Sequence, residues 1–213
     1  MIIYNPLDGL HIPHHIPSQP KHCFLMTRLG NPVPQMVADI RIAVQECCDH
    51  FDYVVIDAQT RVTGRDFLLK IWRLIASAPL SVGVVHEDIP QTTQANIFYE
   101  IGVAQAMGKE TVIVKSPKAK IPSDFVRSEY ITFDDEFAAH FDSYLQSIIE
   151  LAAHYEIVAD QLERNPIMAL DYLKRAFLIS GEERLKEKAQ TITAEAGLED
   201  RAENSVELLA AEF

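Results

Sequence analysis

Between Asp88 and Lys109 the chain carries a single formal charge, Glu100. Its surroundings, Asn96-Ile97-Phe98-Tyr99-Glu100-Ile101-Gly102-Val103-Ala104-Gln105-Ala106-Met107-Gly108, are otherwise apolar, small or uncharged. A carboxylate in such a setting is costly to bury unless it is paired or has a chemical task. The ordinary alternative is a first-turn glutamate that offsets a helix dipole at a solvated edge. Asn96 weighs against that alternative: it is a good N-cap residue, one turn earlier and on the same helix face as Glu100. Both would project from the carboxyl end of a parallel strand, where open α/β sheets hold their ligands.

Other residues with chemical capacity are scattered. His86 closes an apolar run and could serve as a proton shuttle, or simply be hydrogen-bonded at a strand end. Asp57 lies at the end of Tyr53-Val54-Val55-Ile56, where an acid can accept ribose hydroxyls; pairing with Arg61 or capping the strand would account for it equally well. Thr27 ends the first strand and Arg28 follows it, and Thr93 sits in the polar stretch before Asn96. Lys118 and Lys120 could meet a phosphate or be merely solvated. His11-x-x-His14-His15 tempts a metal assignment. Pro13 and Pro17 deny those histidines a common helix face, and no cysteine or carboxylate cluster lies nearby to complete a site. No metal site and no cofactor are expected.

The elements that must position these groups read as strand, helix, strand. Cys23–Thr27, Tyr53–Asp57, Leu80–Val85, Thr111–Val114 and Tyr130–Phe133 are short β-branched or apolar runs. Helical spacing occupies 35–48, 66–77, the stretch from Asn96, and about 135–155. The alternation predicts a flavodoxin-like (Rossmann-like), doubly wound α/β fold with a mainly parallel five-stranded sheet. From about residue 156 the pattern becomes helical alone. Asn165-Pro166 opens a helix ended by Gly181, another covers 182–196, and an acidic one covers 198–212. The expected organisation is a Pro- and His-rich segment 1–21, an α/β domain 22–155 and a helical extension 156–213. The stripe Leu170, Leu173, Phe177 and Leu178 must pack somewhere, either on a partner or back on the sheet.

Composition limits the roles. A net charge of −12 argues against general nucleic-acid binding or an anionic membrane surface, though not against a single phosphate. Three cysteines, two of them adjacent, make no disulfide framework and suit a reducing cytoplasm. There is no basic-then-apolar leader, and no apolar run approaches the length of a membrane span. Neither Gly-x-x-x-x-Gly-Lys-Ser/Thr, Gly-x-Gly-x-x-Gly nor Gly-x-Ser-x-Gly occurs, which removes support for P-loop, dinucleotide and esterase chemistry.

The stretch Asn96-Ile-Phe-Tyr99-Glu100-Ile-Gly-Val-Ala-Gln-Ala-Met-Gly-Lys109 resembles the Asn-hydrophobic-aromatic-Tyr-Glu-Leu-Gly-x-Ala-x-x-x-Gly-Lys signature of the nucleoside 2-deoxyribosyltransferase-like proteins. That superfamily is related to N-glycosidases acting on nucleotides and, more distantly, to TIR domains. Cys23 to Gly30 is similar to its first strand and loop, and Ser123 to Phe133 to its last strand region. The resemblance spans roughly residues 22–150 and is specific around Glu100. It implies cleavage of an N-glycosidic bond in a nucleoside, nucleotide or NAD-like molecule. Glu100 would then be nucleophile or oxocarbenium stabiliser, with Asn96 orienting it or binding a sugar hydroxyl and Tyr99 stacking or hydrogen-bonding. Arg28, Thr27, Asp57, His86 and Thr93 would line the substrate. Gln94-Ala95-Asn96 stands where related sequences have Asn-Pro-Asn, and Gln91-Thr92-Thr93-Gln94 where the transferases keep a second acid. Hydrolysis is therefore expected ahead of transfer. The alternative is a nucleotide sensor or TIR-like module signalling through its helical tail, with self-association through the helices.

Overall fold

The computed structural model describes residues 16–58, 67–125, 129–162 and 165–195. Five strands form one parallel sheet: β1 (His22–Met26), β2 (Val54–Asp57), β3 (Leu80–Val85), β4 (Glu110–Lys115) and β5 (Tyr130–Thr132). Their spatial order is β2-β1-β3-β4-β5, with Leu25 beside both Asp57 and Val82, and Val114 beside Ile131. β3 is central and buried at all six positions, which is why it reads as a nearly continuous apolar run, interrupted only by Ser81, rather than an alternating one. This is the flavodoxin-like order expected from the sequence.

Helices α1 (Gln35–His50), α2 (Phe67–Ser77), α3 (Gln91–Ala106) and α4 (Phe137–Gln161) cover the two faces. α1 packs against α4, and α2 packs against α3. The chain leaves β1 toward β2 and leaves β3 toward β4. Right-handed crossovers running in opposite directions place α1 and α3 on opposite faces and open a crevice between the carboxyl ends of β1 and β3.

Several sequence expectations shift in detail. α1 runs two residues past the expected 48, β4 gains a residue at each end, and β5 stops at Thr132. The helix expected over 135–155 runs from Phe137 to Gln161. The largest change concerns α3, which starts at Gln91 behind Pro90. Asn96 is therefore not an N-cap but the sixth residue of the helix, and Glu100 is its tenth. The helix N-terminus accordingly does not offset the charge of Glu100, because that effect fades within the first turn.

Beyond α4 come α5 (Pro166–Ser180) and α6 (Arg184–Glu195). Asn165 caps α5 by accepting the Met168 N–H at 3.3 Å, Pro166 occupies the first turn, and Gly181 ends the helix at φ 73°. Leu170, Leu173 and Phe177 join Ala159, Ala176, Leu185 and Ala189 in a second apolar core. Arg184 and Lys188 of α6 both bind Glu156 of α4, at 2.6 and 3.0 Å. The far end of α5 folds back on the sheet. The Lys21 N–H donates to the Leu178 carbonyl at 2.8 Å, and the Tyr53 hydroxyl donates to the Ile179 carbonyl at 3.0 Å. The expected loop 60–65, the histidines at 11, 14 and 15, and the expected helix 198–212 lie outside the described residues. Among the described residues no helix is long and apolar enough to cross a membrane, no cluster of metal-ligating side chains occurs, and all three cysteines are free and buried.

Candidate functional site

The carboxyl ends of four neighbouring strands each present a buried polar residue: Thr27 after β1, Asp57 closing β2, His86 after β3 and Ser116 after β4. Polar side chains sunk this far normally find partners. Three have them here. Asp57 takes a hydrogen bond at 2.6 Å from Arg41 of α1; Arg61, the other partner its sequence position suggested, lies outside the described residues. His86 accepts the Asp88 N–H on Nδ1 at 3.0 Å, which leaves the proton of the neutral ring on Nε2, 3.8 Å from the Glu87 carboxylate. Its geometry is that of a hydrogen-bonded strand-end residue. The Ser116 hydroxyl donates to Glu87. Thr27 differs: its Oγ1 is buried and has no hydrogen-bond partner among the described residues.

α3 brings the carboxylate into this setting. Ile97, Ile101 and Ala104 form its buried stripe, and the first two lie directly over Gly83 of β3. Phe98 packs on Phe125 with ring centroids 5.0 Å apart, and Gln105 reaches Thr111 of β4 at 3.2 Å. That flank of the helix therefore overlies β4. A residue step of about 100° puts Thr93, Asn96 and Glu100 on the opposite flank, on the side of β1 and α2. Gln94 ties the helix start to the strand end, donating to the carbonyls of His86 and Ile89 at 3.1 and 2.8 Å.

Glu100 is half-buried, and its carboxylate has no hydrogen bond or ion pair among the described residues. Burial alone pushes its pKa up to about 7. Glu87 is the reverse case. It is exposed, and the hydrogen bond from Ser116, followed by its own backbone N–H and the nearby His86 and Lys118, holds its carboxyl below the usual range. The two carboxylates are thus pushed in opposite directions, Glu87 just after β3 and Glu100 in the tenth position of α3; perturbed carboxylates are a recurrent feature of sites that handle protons or stabilise charge.

The sequence-predicted residues divide accordingly. Glu100, Asn96 and Thr93 share one helix flank, and Thr27, Asp57 and His86 share one end of the sheet. Arg28 is half-buried in the loop after β1. Tyr99 stands apart on the outward face of α3, 47% exposed. Sequence reasoning missed Arg41, Glu87, Ser116 and Gly83. Glu87 carried a readable signal as the acid just after the third strand. The other three matter only through contacts between distant parts of the chain.

A cavity of about 240 Å³ lies at the opposite, amino end of the sheet, where the last turn of α3 meets α5. Its Arg175 is already engaged by Asp171 at 3.0 Å and by the Gly108 carbonyl at 3.3 Å. It lies away from the carboxyl ends of the strands, and Glu100 is not among its lining residues.

No protein-family model and no curated protein matches the chain. Among solved structures it is similar to a 2-deoxyribosyltransferase from the psychrotolerant bacterium Bacillus psychrosaccharolyticus, at 14% sequence identity, over 57% of this chain and 90% of that one, with a TM-score of 0.42. The likeness is distant and at the level of the fold.

Proposed function

We propose that the protein cleaves the N-glycosidic bond of a nucleoside or nucleotide, with Glu100 as the working carboxylate. The observation that carries this reading is a half-buried Glu100 with no hydrogen bond or ion pair among the described residues, within a motif that resembles the nucleoside 2-deoxyribosyltransferase-like signature. As the C1′–N bond breaks, its electron pair leaves with the base and positive charge develops on the sugar ring. An ionised carboxylate in a site of low dielectric stabilises that charge strongly, or bonds to C1′ and traps it. Water then supplies a hydroxyl to C1′ and a proton to the departing base, which releases Glu100 unchanged. Asn96, one turn before Glu100, would meet a sugar hydroxyl. The unsatisfied Thr27 Oγ1 and the Arg28 guanidinium, at the mouth of β1, would meet the remainder of the substrate.

The test is incubation of the purified protein with nucleosides, nucleoside monophosphates and NAD, followed by chromatography for free base, beside Glu100→Gln. Release by the wild type should fall by at least about 10²–10³-fold in the variant, the scale for losing one transition-state charge partner. The wild-type rate should rise with pH through about 7 as Glu100 ionises. No release from any substrate, together with heat stabilisation by one of them, would replace cleavage with a binding-only role.

A further inference from the structure

β3 presents alternate residues to its two faces, and the face under α3 reads Ser81, Gly83, Val85. A central, fully buried parallel strand ordinarily carries β-branched residues on both faces, as this one does at Val82, Val84 and Val85. Glycine weakens a strand interior and most often marks a place where something approaches closely. Here that something is α3. A Cβ built on Gly83 would stand 2.4 Å from Ile101 Cδ1, 3.0 Å from Ile101 Cγ1 and 3.3 Å from Ile97 Cγ2. Carbon atoms in contact prefer about 3.5–4.0 Å. Ile101 is wholly buried and Ile97 nearly so, so any movement of either must be taken up by the core side chains around it. The helix thus sits as low on the sheet as a missing side chain permits, directly beside Glu100.

We infer that Gly83 is a positioning residue for Glu100: the absence of a side chain at this point of β3 lets α3 settle against the sheet and holds the carboxylate at its depth in the crevice. The inference rests on the reading of Glu100 as the working group, and it adds what sets that group's environment. A side chain at residue 83 lifts or tilts α3 and lets water reach Glu100. Part of a single added methyl can be absorbed by movement of the Ile101 δ-methyl, whereas the branched side chain of valine cannot be.

The test combines Gly83→Ala and Gly83→Val with Ile101→Val, which deletes the atom in closest conflict. The side-chain carboxyl of Glu100 is followed by carbon-13 NMR across pH, its signal assigned by its loss in Glu100→Gln. In the wild type the midpoint should lie at about 7. Gly83→Ala should lower it by roughly one pH unit, because desolvation is what raised it, and Gly83→Val should lower it further. Ile101→Val in the Gly83→Ala background should return it toward the wild-type value. For any substrate cleaved, kcat should follow the same order while KM changes little. If Gly83→Val does not fold, Gly83→Ala and its rescue suffice. An unchanged midpoint in Gly83→Ala, or a change that Ile101→Val does not reverse, overturns the inference. A rescued midpoint in a protein that releases no base upholds the positioning and sinks the glycosidic reading alone.

Discussion

Glu100→Gln should make the folded protein more stable relative to wild type as pH rises, although the substitution removes a charge and adds no contact. The folded carboxyl titrates at about 7 against an ordinary value of 4.5. Below the lower value Glu100 is protonated in both folded and unfolded chains, so pH has no leverage. Between the two values the unfolded chain has released its proton and the folded one has not. The unfolded state then binds fewer protons, and the free energy of unfolding must fall as pH rises. Above about 7 both forms are ionised and the difference is constant. At ~1.4 kcal/mol per tenfold change in proton affinity, the ceiling on this loss is ~3 kcal/mol. Partial access of the carboxylate to water lowers the expected figure to ~2 kcal/mol. Glutamine carries no such dependence. Urea unfolding of both proteins at pH 5, 6, 7 and 8.5 should therefore show the wild type losing ground to the variant by ~2 kcal/mol across the series. A difference that stays flat, or a wild type that gains with pH, would refute the placement of Glu100 in a desolvated and unpartnered position.

Two further substitutions probe the surroundings. Ser116→Ala removes the hydroxyl that donates to Glu87, so the Glu87 carboxyl should titrate at higher pH by carbon-13 NMR, nearer its ordinary value; no movement would show that its backbone N–H, His86 and Lys118 suffice. Gly108→Ala must adopt φ 67° and place its methyl 2.8–2.9 Å from the Arg175 guanidinium. The left-handed conformation and the displaced guanidinium together should cost ~2 kcal/mol, a fall in Tm of roughly 4–8 °C for a chain of this size; a Tm within a degree of wild type would show that Arg175 moves freely.

The fold was legible because its elements follow the rules of pattern. Parallel strands covered on both faces read as nearly continuous apolar runs, and Leu80–Val85 does, with Ser81 its one polar residue. Asn165-Pro166 and Gly181 mark both ends of α5 by local chemistry alone. Glu100 was legible for a related reason, as a charge without company in an apolar stretch. The start of α3 was not. Gln91, Thr92, Ala95 and Asn96 are exposed, so the first turn and a half has no buried stripe to betray its period, and Pro90 caps it without a side-chain hydrogen bond. Asn96 then took the role of a cap it does not fill. The contacts of Arg41 with Asp57 and of Ser116 with Glu87 were out of reach for a different cause: they span 16 and 29 residues, and only the packing of α1 on β2 and the pairing of β3 with β4 bring them together. The role of Gly83 is written in an atom that is missing, which a sequence displays as readily for a loop glycine as for this one.

α4 contains 25 residues, a rod of about 37 Å. Phe137, Phe141, Leu145 and Ile148 belong to the core under the sheet, Ala159 belongs to the core of the helical hairpin, and Tyr155 touches both. A cut between residues 155 and 156 would fall inside this helix and leave each core without part of its wall. Slow amide exchange should therefore extend from β3 through α4 into α5 with similar opening energies, as one cooperative unit. Any molecule that binds in the β1–β3 crevice would then raise protection in the helical hairpin at the far end of the chain without touching it.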